Sequence, residues 1–262
     1  MSDLFGQLFH AIQCREVDAK CAAVTEIVND YSAHTKDHTS EVKHIPIPGF
    51  PTNLELVAPR ELKRRGMSTQ EGRNRLLHAI AQIEFNAINL ALDAAYRFRD
   101  QPEDFYRDWI SVAADEARHF KLIQTYLQAN GCDYGEYPVH NGLWEMAVET
   151  EHDVLARMAL VPRVLEARGL DVTPAMIKKL NHVGDQAAVD VLEVIYQDEI
   201  GHVAIGSRWF LHHCQLRGLE PEATFLNLIE KHLHGQMRGP YNKEARRLAG
   251  FAESELRSLE AN

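Results

Sequence analysis

The same five-residue pattern occurs twice in this chain, as Asp115-Glu116-Ala117-Arg118-His119 and as Asp198-Glu199-Ile200-Gly201-His202. Each copy sets a Glu and a His three residues apart, and on an α-helix that spacing puts both side chains on one face. The first copy lies in a stretch whose apolar residues recur at helical intervals, Trp109, Val112, Ala113, Phe120, Ile123 and Leu127. Charged groups therefore interrupt the seam that such a helix buries, and burying an unpaired charge costs several kcal/mol. A chain that folds with these residues inside must also supply something that neutralises them.

The spacing upstream repeats as well. Glu84 lies 32 residues before Glu116, and Glu166 lies 33 before Glu199. Glu84 also interrupts an apolar stripe, formed by Leu77, Ile80, Ala87, Ile88, Ala91, Ala95 and Phe98. Two antiparallel helix pairs, each carrying its ligands at mid-length, would produce this pattern. Two Glu residues with two Glu-x-x-His units form the ligand set of di-iron and di-manganese carboxylate bundles. Four carboxylates and two imidazoles suit two divalent ions. The expected metal ligands are Glu84, Glu116, His119, Glu166, Glu199 and His202, and the expected cofactor is two Fe ions, with Mn equally acceptable to the donor set.

The rest of the chain reads as helix. Residues 2–33 mix apolar and charged residues at helical spacing, and the proline-rich stretch 44–60 reads as an extended arm. Ser68 and Glu71 form a capping-box signature before a helix over about 70–99, and Pro102 opens a second that stops at Asn130 and Gly131. After a connection at 131–142, a third helix runs from Trp144 to Ala167 with a kink at Pro162. Thr173 and Pro174 restart a short helix to about 183, and Gly184 separates it from a fourth long helix over 185–215. One more helix near 221–234 and a polar segment follow. No alternating strand pattern competes. The predicted fold is all-α, a four-helix bundle with additional N- and C-terminal helices. It divides into an N-terminal helix and arm (1–66), the metal-bearing bundle (67–217) and a C-terminal helical extension (218–262), together one structural domain.

A net charge of −10 argues against a nucleic-acid-coating or basic membrane-surface protein, since both need a positive field. Cys14, Cys21, Cys132 and Cys214 show no C-x-x-C pair, and no run of 18 apolar residues occurs. The first twenty residues carry charges where a secretory signal needs an apolar stretch. A cytoplasmic protein with free thiols is expected.

The phrases ELKRRG, RDWISVAADEARHF, HDVLARMALVPRVLEARGLDVTP and DEIGHVAIGSRWF resemble the DUF455 family of the ferritin-like superfamily, over about residues 45–255. That resemblance implies a ferritin-like bundle with a dinuclear site at the six residues above, and it implies no substrate. EARGL followed by DEIGH is also similar to a half-motif of ferritin-like tRNA hydroxylases. One ligand has an alternative. If the third helix reversed at Gly169, Glu151 would match the height of Glu199 better than Glu166; if the chain continued through 169–173, Glu166 would come level. Asp115 and Asp198 are expected to orient the imidazoles of the opposite helices.

The expected activity is that of a non-haem di-iron oxidoreductase, of oxygenase or oxidase type, acting with O₂ or peroxide on a small or tRNA-linked substrate. No Gly-rich nucleotide loop is present, so electrons would come from an external donor. The alternatives are a ferroxidase or iron-handling protein and a non-catalytic, metal-stabilised helical scaffold. Nucleic acid other than tRNA and membranes are not expected partners, and a homodimer is compatible with the pattern. The histidines outside the two motifs, Tyr196, Trp109, Trp209 and the arginines at 157, 163 and 168 are expected to pack, to be satisfied locally or to pair with nearby acids.

Overall fold

The protein is described here from a computed structural model covering residues 3–62, 66–234, 237 and 239–261. Residues 63–65, within the phrase ELKRRG, lie outside the described residues. Regular structure among the described residues is helical, and strand-like pairing is confined to the isolated bridges Asp3–Thr35 and Leu56–Val139. The all-α expectation holds. No described helix is long and apolar enough to cross a membrane. The four cysteines are free. The chain forms two compact units, residues 1–148 and 149–262.

The N-terminal unit is built on a helical hairpin. Helices α1 (Leu4–Gln13) and α2 (Val17–Asn29) pack beside α3 (Gln70–Arg97) and α4 (Glu103–Ala129), α1 against α3 and α2 against α4. The single helix expected over 2–33 is thus two. Its break at residues 14–16 is stabilised by a side chain from the second helix: Lys20, fully buried, donates to the carbonyls of Ala11 and Ile12, both at 2.9 Å, and to Oδ1 of Asn89 on α3 at 2.5 Å. The ammonium is a second donor to each carbonyl, since Ala11 O also accepts from the Cys14 N–H at 3.2 Å and Ile12 O from the Gly49 N–H at 2.8 Å. The cap of α3 is Thr69, not Ser68; its hydroxyl accepts from the Gly72 N–H at 3.1 Å. The arm is extended, as its prolines dictate. It pairs with the 131–142 connection through Val57 N–H to Val139 O (2.8 Å) and Val139 N–H to Glu55 O (2.9 Å). Helix α5 (Gly142–Glu149) follows, and its buried Trp144 donates to Ile45 O at 3.1 Å.

The C-terminal unit contains a second hairpin. Helix α6 (Val154–Leu160) passes into a π-helical segment, Val161–Glu166, then into α7 (Ala167–His182), and the chain returns along it as α8 (Gln186–Leu216). Two expectations change here. The predicted helix from 144 to 167 is interrupted at residues 150–153, where Asp153 caps α6 by accepting from the Leu155 N–H at 3.0 Å. The predicted restart at Thr173 is absent, because α7 runs through Pro174 without a break. Pro162, the expected kink position, lies in the π turn and lacks the N–H that an α turn would use. Gly206 lets α8 approach that turn: a Cβ there would lie 2.4 Å from the Pro162 ring. Helix α9 (Pro221–Leu233) packs on α6 and α8, α10 (Lys243–Leu248) packs on α7 and α8, and α11 (Glu253–Ala261) ends the unit.

Replacing Lys20 by Met would take the donor from buried Asn89 Oδ1 and the second donor from the carbonyls of Ala11 and Ile12. A loss of about 3 kcal/mol in urea unfolding is expected. A loss below about 0.5 kcal/mol, the size of an ordinary surface substitution, would show that the ammonium does not hold α1.

Candidate metal centre

Both hairpins place their expected ligands at mid-length. Glu84 stands sixteen residues before Asp100, at the α3–α4 turn, and Glu116 sixteen after it. The two residues therefore come level on the paired helices. His119 follows one turn beyond Glu116 and meets both. Its Nδ1 lies 3.2 Å from Oε2 of Glu84 and 3.4 Å from Oε2 of Glu116. All three side chains are buried, with exposures of 0% for His119, 7% for Glu84 and 3% for Glu116. One ligand atom from each lies within 4.8 Å of the others. Phe85 and Phe120, next in sequence to Glu84 and His119, form an aromatic wall with Tyr134, ring centroids 5.0–5.5 Å apart.

Electrostatics marks the trio as unusual. Burial pushes the Glu84 carboxyl well above the ordinary range, and the neighbouring Glu116 charge pushes the same way; its contact with His119 offsets only part of this. Burial alone would lower the His119 imidazole, yet its hydrogen bonds to Glu116 and Glu84 raise it to about 10. Two carboxylates and one ring nitrogen converging in a desolvated pocket fit a divalent cation of the Fe, Mn or Zn type, which takes hard oxygen donors together with imidazole. Arg118 adds a contact that the motif did not suggest: its Nη2 lies 3.4 Å from Nε2 of His119 and 3.2 Å from Oδ1 of Asp115. Asp115 thus reaches the imidazole of its own helix through Arg118. The only available signal was the Arg in DEARH, where the second copy has Gly201.

In the C-terminal unit, Nδ1 of His202 lies 3.3 Å from Oε2 of Glu199, and the side chains are 5% and 13% exposed. Glu166 ends the π segment and is half-buried, and it does not lie within 4.8 Å of both partners. Its helix nevertheless passes beside them, since a Cβ on Gly169 would touch Cγ of Glu199 at 3.8 Å. Glu166 stands eighteen residues before the turn at Gly184 and Glu199 fifteen after, so their heights differ by about 4.5 Å at 1.5 Å per residue, within the reach of two Glu side chains. Glu151 lies in the turn between α5 and α6, outside any helix. The geometric case for it, which required a helix reversing at Gly169, is gone.

Several of the residues expected to play other parts have local partners. His78 is buried, accepts from the Gly135 N–H at 2.9 Å, and is pushed down to about 4 by burial, so it is neutral. Arg163 pairs with Glu255 at 2.8 Å inside a cage of Phe210, Phe225 and Phe251. Arg157 donates to Thr150 at 2.9 Å, and Arg168 lies 3.5 Å from Asp171. Trp109 and Trp209 are buried packing residues.

The directions of these shifts predict how the chelator-treated protein responds to pH. A raised His contributes stability that is complete below 6.5 and is lost as pH rises to about 10, while a raised Glu penalises folding increasingly above 4.5. Both act in the same sense, while buried Lys20, pushed down to about 7, acts in the opposite sense over nearly the same interval; the trio is therefore read as a difference, and the melting temperature of metal-free wild type should fall relative to Glu84→Gln between about pH 6.5 and 10. Parallel pH curves for wild type and Glu84→Gln in calorimetry would contradict the assignment.

Comparison with known proteins gives the same picture of kinship. A protein of Haemophilus influenzae described as uncharacterized is 41% identical over 268 residues, covering 98% of this chain and 93% of its own. No solved structure matches. A family model described as protein of unknown function (DUF455) matches residues 13–257, and the chain belongs to that family.

Proposed function

We propose that this protein is a dinuclear metal carboxylate protein of ferritin-like type and acts as an oxidoreductase with O₂ or peroxide. Glu84, Glu116 and His119 would supply one half of the ligand set, and Glu166, Glu199 and His202 the other. The observation that carries the reading is the convergence of His119 Nδ1 with the carboxylates of Glu84 and Glu116 inside a buried helix pair. Two carboxylates against one imidazole leave that pocket acidic, and a divalent cation neutralises it. The second half supports the reading by repeating a Glu–His contact of the same length.

A di-iron pair, when bound, supplies redox chemistry towards oxygen or peroxide. The chain's own residues then have definite tasks. The carboxylates and imidazoles would hold the ions, and Phe85 and Phe120, next in sequence to Glu84 and His119, pack with Tyr134 as an aromatic wall. Tyr134 donates to Oε1 of Gln82, a neutral amide that cannot take its proton, and burial raises the phenol further. It serves as wall and not as acid or base. Substrate is a small organic molecule, with a tRNA-linked one as the alternative, and electrons come from a separate donor.

One observation favours a rival. Held at about 10, His119 makes a protonated bridge between the two glutamates, and such a triad can serve the fold without metal. Reconstitution with Fe(II) under argon, followed by air, separates the readings. The proposal expects about two irons per chain and a new near-ultraviolet ferric absorption, both lost in Glu116→Ala. Less than one tightly held metal per chain would leave the protonated bridge. Continued oxidation of Fe(II) well beyond two per chain would make iron the substrate, and bound metal without reaction would make it structural.

A further inference from the structure

Pro174 sits inside α7 and has no N–H, so the carbonyl of Leu170, four residues earlier, loses its helical donor. That carbonyl is taken by a residue far along the chain. Asn242, the N-cap of α10, donates Nδ2 to Leu170 O at 3.2 Å and, through the same amide, to the Tyr196 hydroxyl on α8 at 2.9 Å. Its backbone N–H donates to Oδ1 of Asp171 at 2.9 Å, and its own Oδ1 accepts from the Ala245 N–H at 3.2 Å. One turn into α10, Arg246 secures the same place: Nε and Nη2 hold Asp171 at 2.9 and 2.8 Å.

The placement relative to the ligands is what gives this network a consequence. Leu170 lies one turn after Glu166, and Tyr196 lies one turn before Glu199. Both hydrogens of one amide are therefore spent linking the two helices that carry Glu166 and Glu199, a turn away from each. An ordinary cap would use only the Asn242 carbonyl oxygen.

We infer that Asn242 is a positioning residue for the C-terminal half of the metal site, fixing the separation of α7 and α8 at which Glu166 and Glu199 hold one ion. This rests on the metal reading proposed above. Two variants cut the link from opposite sides. Tyr196→Phe removes the acceptor on α8, and Asn242→Asp keeps an oxygen to cap α10 while removing the donor to Leu170. Co(II) is titrated anaerobically into wild type and both variants, following its visible absorption, and the melting temperature of each metal-free protein is measured.

The expected result is two Co(II) per wild-type chain, with one of them bound about tenfold more weakly in each variant. The ion of Glu84, Glu116 and His119 keeps its affinity, and the metal-free melting temperatures of wild type and Tyr196→Phe agree. A merely structural cap would lower melting and leave both affinities alike. Wild-type affinity at both sites in both variants therefore overturns the inference while leaving the metal reading intact. A wild-type chain that takes up no Co(II) overturns both.

Discussion

Charge taken out of water dominates this molecule. The carboxylates of Glu84 and Glu116 and the ring of His119 are enclosed between two long helices, where the dielectric is low and each group is felt strongly by its neighbours. Much of the N-terminal unit follows from that. The helices must be long enough to put mid-length residues beyond the reach of solvent, and they must run antiparallel so that residues equally far from the turn meet. The wall beside the site is aromatic, as a pocket shielded from water requires. Lys20 is subject to the same constraint: burial pushes its amine down to about 7, and three acceptors surround it.

The two half-sets are alike in residue type and unlike in support. In the first, α3 is a regular helix, Arg118 touches the far side of the imidazole, and the ligands are sealed. In the second, the ligand helix carries a π turn ending at Glu166, the position matching Arg118 is Gly201, and Glu199 keeps some exposure. π segments concentrate at functional positions because the widened turn redirects a side chain without ending the helix. One half is thus enclosed between two regular helices, and the other borders a widened turn near the hydrogen bonds of Asn242.

Much of the site was legible in the sequence because helical periodicity makes a misplaced charge visible. Glu84, Glu116 and His119 stood out as polar residues in apolar stripes, and the structure joins them. Glu199 and His202 were legible through the repeated pattern. What escaped was governed by distant partners. Pro174 reads locally as a helix start, and the Leu170 carbonyl that it leaves without a helical donor is met by Asn242, far along the chain. The break after α1 was hidden because its satisfying donor is a lysine, a residue that is ordinarily exposed. Thr69 and Ser68 are both competent caps, and local sequence does not choose between them. The interruption at 150–153 depends on Asp153 acting as a cap, which the neighbouring hydrophobic pattern concealed.

Pro162 and Gly206 face each other too closely for any side chain at 206. In the history of such a chain these two positions cannot drift independently. A methyl group arriving at 206 must wait for the ring at 162 to leave, and once the ring leaves, the glycine loses its purpose. The ring at 162 and the bare Cα at 206 are therefore one steric constraint shared by two residues.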